Sequence, residues 1–226
     1  MRRTGHDSGI LRSFADAQDD TSSGAKNQVS DRAQDDNAGQ TARLETYKRE
    51  LLRWNERINL IGPEAVANLD EHIAEAVAAA GILKPQGDVL DFGSGGGLPA
   101  LPMAIVSPAA RFHLVESDKK KWAFLKHIVR ACELNAVVYG DRLARAVMQF
   151  PSHLQFSLVT SRAVGNPEEW VPSLGKWMAP EGRVALFQGS PEVPYIRGFT
   201  KTDVFTLPRG TANYLVTLAF HVEHPA

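Results

Sequence analysis

The run Asp91-Phe92-Gly93-Ser94-Gly95-Gly96-Gly97-Leu98-Pro99 sets three glycines at alternate positions after a carboxylate. Val89 and Leu90, just before it, read as the end of a buried strand. Glycines at this spacing let the backbone turn tightly and bring main-chain N–H groups against a ligand with no Cβ in the way. The chemistry is therefore ligand capture by backbone. A dinucleotide fingerprint needs glycine at the first, third and sixth positions. Counting from Gly93, the third is Gly95 but the sixth is Leu98, so that pattern fails.

The remaining pattern, acid-x-Gly-x-Gly-x-Gly, resembles motif I of class I S-adenosylmethionine-dependent methyltransferases. A second acid should then end the next strand, where a carboxylate accepts hydrogen bonds from both ribose hydroxyls. Arg111-Phe112-His113-Leu114-Val115-Glu116-Ser117 alternates and ends in that way, with Glu116 in place.

Other reactive side chains are sparse. The one cysteine, Cys132, lies in a helical pattern, which excludes a disulfide within the chain and makes a reducing cytoplasm the expected setting. The seven histidines show no metal-ligand spacing, so no metal is expected. Lys119, Lys120, Lys121, Lys126 and Arg130, interleaved with Trp122 and Phe124, form the densest basic stretch. At helical spacing its aromatics turn inward and its cations outward, as a phosphate-contacting face would. The whole chain carries net charge −1 from 25 basic and 26 acidic residues, which argues against strong nonspecific nucleic-acid affinity but leaves room for a local patch. Its longest apolar stretch, Ala76 to Leu83, is too short to span a bilayer, so no membrane association is expected.

The elements that must position these residues begin near Thr41. Residues 1–40 hold 10 apolar residues, lack periodicity and nearly repeat Ala17-Gln18-Asp19-Asp20 as Ala33-Gln34-Asp35-Asp36. They read as a disordered tail, because so little apolar surface cannot offset the ordering entropy. Tyr47, Leu51, Trp54 and Ile58 share one helical face, and Gly62-Pro63 ends that helix. A second helix, His72 to Ala80, completes an N-terminal helical cap over 41–84.

From residue 85 strands and helices alternate. Strands are expected at Arg111–Glu116, Ala136–Tyr139, Phe156–Thr160 and, after a turn at Gly182, Arg183–Phe187. Helices are expected at Leu98–Val106, Lys119–Leu134, Arg142–Gln149 and Glu168–Met178, with Ser161-Arg162-Ala163 in a loop. Val204–Leu207 and Tyr214–Phe220 read as a terminal hairpin. This predicts an α/β fold with a mainly parallel sheet, helices on both faces and an antiparallel edge. Ligands of such sheets bind beyond the carboxyl ends of the strands, where Asp91, Glu116, Tyr139-Gly140-Asp141 and Ser161-Arg162 fall.

In their order and spacing, Trp54-Asn55, Asn59-Leu60, His72-Ile73, Asp91 to Pro99 with Pro102, Glu116-Ser117 with Lys120-Lys121 and Phe124-Leu125, and Ser161-Arg162-Ala163 resemble the glucose-inhibited division protein B family of 16S ribosomal RNA guanine-N7 methyltransferases. The similarity runs from about Thr41 to the C-terminus. It implies a Rossmann-like, seven-stranded class I methyltransferase domain over 85–226, S-adenosyl-L-methionine as cofactor, and 16S ribosomal RNA or the small ribosomal subunit as partner of a cytoplasmic monomer. The implied cofactor site comprises Asp91, Gly93, Ser94, Gly95, Gly97 and Leu98 of the loop, Glu116 and Ser117 toward the ribose, Leu143 and Ala144 toward the adenine, and Arg162 facing cofactor and substrate. Lys120, Lys121, Arg142, Arg162 and His72 are the implied RNA contacts.

The chain departs from the family at four places: Ala100 stands where glycine is usual, Ala144 where an acid is common, Gln188 where a lysine is common and Asn213 where a basic residue is common. The last two remove cations from the RNA side. No catalytic base is expected, because guanine N7 offers a lone pair and carries no proton, so methyl transfer requires positioning alone. A small-molecule methyltransferase and a non-catalytic cofactor- or RNA-binding module are the alternative functions.

Overall fold

The computed structural model describes residues 19–208 and 214–221, with side chains from residue 36 onward. The chain divides into two compact units, 1–42 and 43–226. Within the first, helix α1 (Asp19–Asn55) already begins at Asp19, inside the segment read from sequence as disordered. Residues 1–18 lie outside the described residues.

The second unit opens with the part of α1 from Arg43, which places Tyr47 and Leu51 fully inside the core. The helix stops at Asn55 rather than running to Ile58. Asn55 Oδ1 accepts the N–H groups of Leu60 (2.8 Å) and Ile61 (3.0 Å), which turns the chain back on itself. Helix α2 (Pro63–Ala67) starts on a proline, whose missing N–H is no loss at a helix start. Helix α3 (Leu69–Leu83) is longer at both ends than the sequence predicts and buries Leu69, Ala76, Ala79 and Leu83, together with His72 and Glu75.

Seven strands follow: β1 (Asp88–Phe92), β2 (Arg111–Val115), β3 (Ala136–Tyr139), β4 (Phe156–Arg162), β5 (Met178–Gln188), β6 (Phe199–Thr206) and β7 (Tyr214–Phe220). They form one sheet in the order β3-β2-β1-β4-β5-β7-β6. β1 to β5 are parallel, and β7 runs antiparallel between β5 and β6. Helices α4 (Ala100–Val106), α5 (Lys119–Ala131), α6 (Leu143–Ala146) and α7 (Pro167–Trp170) connect the parallel strands. Alternate residues of the strands feed two cores. Val89, Phe112, Leu114 and Leu158 pack with the cap, α4 and α5, whereas Leu90, Val115, Val159 and Val184 pack against α6 and Trp170. The alternation is the period-2 rule of a sheet covered on both faces.

Three local expectations are corrected. Ser161 and Arg162 belong to β4 rather than to a loop, because β1 and β5 flank them and supply Phe92, Leu186 and Phe187 as register partners. The helix expected over Glu168–Met178 is the short α7 followed by a 3-10 turn over Val171–Trp177, where Pro172 lacks the N–H a continuing α-helix needs. Gly182 lies inside β5, at a register shift from Phe156↔Met178 to Leu158↔Arg183. A Cβ there would stand 2.8 Å from the Phe156 carbonyl oxygen. Among the described residues no helix is long and apolar enough to cross a membrane.

Candidate cofactor and substrate site

The strand order reverses at β1, between β2 and β4, and the glycine loop leaves the carboxyl end of β1 at that reversal. Gly93, Gly95 and Gly97 have φ values of +76°, +53° and +88°, the left-handed region that side-chain-bearing residues avoid. The N–H groups of Gly93 and Ser94 both donate to the Val115 carbonyl at 3.1 Å, which pins the loop to the end of β2. Around this turn the glycines face different things. A Cβ at Gly93 would lie 2.4 Å from Val164 Cγ2, at Gly96 2.8 Å from Ile61 Cγ2, and at Gly97 2.2 Å from Leu101 Cδ1. At Gly95 the nearest atom would be the Gly93 carbonyl oxygen at 3.7 Å. Gly95 is thus the loop position that leaves room for a ligand.

Two carboxylates flank that space. Glu116 is buried; its Oε2 accepts the Gly95 N–H at 2.8 Å and its Oε1 accepts the Asp118 N–H at 2.7 Å. Each oxygen keeps a further lone pair, enough to accept two ribose hydroxyls. Asp91 is buried at the end of β1; Oδ1 accepts the Thr160 hydroxyl at 2.7 Å, and Oδ2 has no hydrogen-bond partner among the described residues. Burial pushes its carboxyl up to about 6, against the Thr160 and Ser94 hydroxyls that lower it, and with the Glu116 charge raising it further. A buried acceptor without a partner is costly, and a cationic ligand relieves the cost. The ammonium, sulfonium and ribose hydroxyls of S-adenosylmethionine fit this donor-hungry set.

The other expected cofactor residues fall at the same end of the sheet. Ser94 is buried and its hydroxyl donates to the Asp91 carbonyl at 3.1 Å. Leu98 is half-buried and Ser117 exposed. Leu143 is buried and Ala144 exposed at the start of α6. Ala100 is the fully buried first residue of α4.

Next to the loop, beyond the ends of β4 and β5, a cleft of about 480 Å³ is lined by Arg162, Val164, Gly165, Pro167 and Gln188. Val164 also abuts Gly93, so cleft and loop share a wall. Gln188 donates from its amide nitrogen to the carbonyls of Ser190 (2.6 Å) and Glu192 (2.8 Å). Gln188 therefore braces its own loop. Asn213 lies outside the described residues.

Arg162 reaches from the end of β4 back to α3. Its Nη2 is 2.8 Å from His72 Nδ1, and Nη1 is 3.6 Å from Glu75 Oε2. His72 is fully buried, so as placed it offers no ring edge to RNA and meets the cleft only through Arg162. Burial and the Arg162 charge push its imidazole down to about 4. Glu75 rises to about 7 through burial, against the pull of Arg162.

The basic face lies at the start of α5. Asp118 caps this helix, its Oδ1 accepting the N–H groups of Lys120 (2.8 Å) and Lys121 (3.0 Å). Lys120 is exposed and Lys121 half-exposed. Phe124 points into the core as expected, whereas Trp122 is half-exposed under the Lys126 ammonium, 4.5 Å from its ring centre. Exposed Arg142 follows Gly140, whose position would bring a Cβ within 2.8 Å of Trp122 Nε1, so the two cationic segments adjoin. Among the described residues no three His, Cys, Asp or Glu side chains gather as a metal site would require.

Four contributors escape a reading of the sequence. Tyr47 looks like an ordinary apolar-face residue and Thr160 like a strand residue, and neither type announces a polar role. Glu75, three residues after His72, carries a signal in that spacing, since both then share a helix face. Val164 carries none.

The sheet order, the glycine loop ending β1 and the acid ending β2 define a class I S-adenosylmethionine-dependent methyltransferase. A variant of MtNAS solved with S-adenosylmethionine shares the fold at 14% identity, with a TM-score of 0.55 over 80% of this chain and 76% of that one. Residues 40–202 match the GidB family, described as rRNA small subunit methyltransferase G, and the chain belongs to that family. The ribosomal RNA small subunit methyltransferase G of Helicobacter acinonychis is 31% identical over 146 residues, 65% of this chain and 80% of that protein. The protein of the same name from Magnetococcus marinus is 35% identical over 168 residues, 72% of this chain and 74% of that one.

Proposed function

We propose that this chain transfers the methyl group of S-adenosylmethionine to N7 of a guanine in 16S ribosomal RNA. The observation that carries the reading is the pairing of Glu116 with the Gly95 N–H beside a cleft walled by Arg162 and Val164. Family membership supports the substrate class, and the basic face of Lys120, Lys121 and Arg142 supports a polyanion as partner.

S-adenosylmethionine, when bound, supplies an electrophilic methyl on a sulfonium. The work left to the chain is placement. Glu116 holds the ribose, the backbone at Gly95 lies against the cofactor, and buried Asp91 offers Oδ2 to its positive end. The cleft beside Gly93 receives the base, with Val164 closing the wall between base and loop. Guanine N7 attacks through its lone pair without giving up a proton, so a site with no base at the reacting atom suffices. Lys120, Lys121 and Arg142 hold RNA phosphates, a salt-sensitive contribution.

Gln188 favours keeping a small-molecule substrate as the second reading, because this cleft residue is uncharged and its amide is spent on loop carbonyls. One experiment separates these readings. Labelled S-adenosylmethionine is incubated with the protein and 30S subunits, naked 16S RNA or a metabolite pool, and the labelled product is mapped. 7-Methylguanosine in ribosomal RNA is the expected product; its absence from both RNA samples overturns the proposal. Label only in the metabolite pool establishes the small-molecule reading, and binding without transfer establishes a silent module. Normal cofactor binding by Glu116→Ala would remove Glu116 from the site.

A further inference from the structure

His72 and Glu75 sit three residues apart on α3, both fully buried, and neither belongs to the cofactor site. Both approach the cation that walls the substrate cleft: Arg162 Nη2 is 2.8 Å from His72 Nδ1, and Arg162 Nη1 is 3.6 Å from Glu75 Oε2. His72 Nδ1 is in turn 3.2 Å from the same Oε2. A carboxyl and an imidazole buried among alanines and leucines are expensive to keep unless they do something there. We propose that Glu75 and His72 are positioning residues that fix the Arg162 guanidinium at the cleft wall. This rests on the methyltransferase reading of the cleft.

The contact geometry supports the assignment. Arg162 Nη2 lies 2.8 Å from His72 Nδ1 and 3.5 Å from Nε2, so the cation rests against the imidazole ring, a contact that a neutral imidazole accepts and an imidazolium would repel. Burial and the Arg162 charge hold His72 in that neutral form. Arg162 is thus a common partner of two side chains that also meet each other at 3.2 Å, and the three form one buried cluster. Tyr47 adds a further polar neighbour whose electrostatic influence reaches Arg162.

The consequence is geometric. Arg162 has a planar fork of donors, and which of them face the cleft depends on what grips the rest. With α3 engaging both terminal nitrogens, the guanidinium is held in one orientation beside the cleft. The cap thereby acts on the chemistry from behind the strand, and a displacement of about 1 Å in such a group can cost about a hundredfold in rate.

The test uses the full chain with 30S subunits and labelled S-adenosylmethionine. Glu75→Gln preserves size and removes the charge, whereas Glu75→Asp preserves the charge. In Glu75→Gln, kcat should fall between about tenfold and a hundredfold while the cofactor Kd and the KM for RNA stay within about twofold, and Glu75→Asp should recover part of the loss. Glu75→Gln combined with Arg162→Lys should be no slower than Arg162→Lys alone, since both remove one unit. Full activity in Glu75→Gln, or losses that multiply in the double variant, overturns the proposal. Should Glu75→Gln fail to fold by thermal melting, His72→Asn carries the same cycle.

A second readout needs no turnover. Separate NMR resonances for the guanidinium nitrogens of Arg162 in the wild type should merge in Glu75→Gln as the group begins to rotate, and unchanged resonances overturn the proposal. If wild-type protein methylates no RNA yet the resonances merge, the substrate reading fails while the holding of Arg162 stands.

Discussion

The Tyr47 hydroxyl donates a 2.8 Å hydrogen bond to the Gly96 carbonyl, 49 residues along the chain and inside the glycine loop. Leu51, one helical turn on, lies 3.4 Å from where a Cβ at Gly96 would be. The cap helix thus supports the underside of the loop while Gly95 stays open on the other. Burial raises the Tyr47 hydroxyl well above its ordinary value, so it remains a donor at every physiological pH.

Tyr47→Phe leaves a buried carbonyl without its donor, and the expected loss of stability is about 1–3 kcal/mol. Because the lost bond supports the loop, cofactor affinity should fall as well. Denaturant unfolding and calorimetric titration measure the two effects; a variant as stable as the parent would show that Gly96 finds another partner.

Gly95→Ala and Gly97→Ala separate ligand space from folding. At Gly97, a Cβ at 2.2 Å from Leu101 Cδ1 adds a clash to the strain of φ +88°, so this variant should be the less stable by about 1–3 kcal/mol. At Gly95 the added methyl meets nothing closer than 3.7 Å. That variant should fold and lose cofactor affinity by about tenfold or more, and one that bound normally would move the cofactor away from the loop.

Stability should carry the signature of Asp91. Its folded-state value, about 6, lies above the ordinary 3.8, so the native state binds the extra proton. The associated stability is fully present below pH 3.8, declines as pH rises through about 6 and is level above that. Compared with Asp91→Asn, wild-type ligand-free protein should lose up to about 3 kcal/mol across this window, since each pH step of one between the two values is worth about 1.4 kcal/mol. Unfolding curves for both proteins from pH 4 to 8 read the difference; a gap that does not change with pH would refute the buried, partner-short carboxylate. Saturating S-adenosylmethionine should flatten the difference if its positive end reaches Oδ2.

Charge reversal at Lys120 and Lys121 should weaken RNA binding and lower the slope of log affinity against log salt by about 1 for each phosphate no longer neutralised. The fold should tolerate both changes, since acids are favourable in the first turn of α5. Filter binding across a salt series decides it, and an unchanged slope would take this face out of the RNA interface.

The loop from Asp91 to Pro99, the acid at Glu116 and the alternation of strands and helices are all legible in the sequence. Each is a local signal: glycine spacing reports backbone conformation, and hydrophobic period reports which face is covered. The same signals misplace Ser161 and Arg162, because a strand lengthened by two neighbours shows no mark of this in its own residues.

What only the tertiary structure decided is how polar groups far apart in sequence meet. Nothing in the chain's order joins Tyr47 to Gly96, Thr160 to Asp91, or His72 and Glu75 to Arg162, and each side chain alone fits a bland structural role. Sequence set the loop, the acids and the sheet, because those follow from short-range sterics and periodicity. The sheet order and the docking of α1 and α3 decided the site's second layer, because buried hydrogen bonds and charges are matched in space and leave no spacing in the sequence to read.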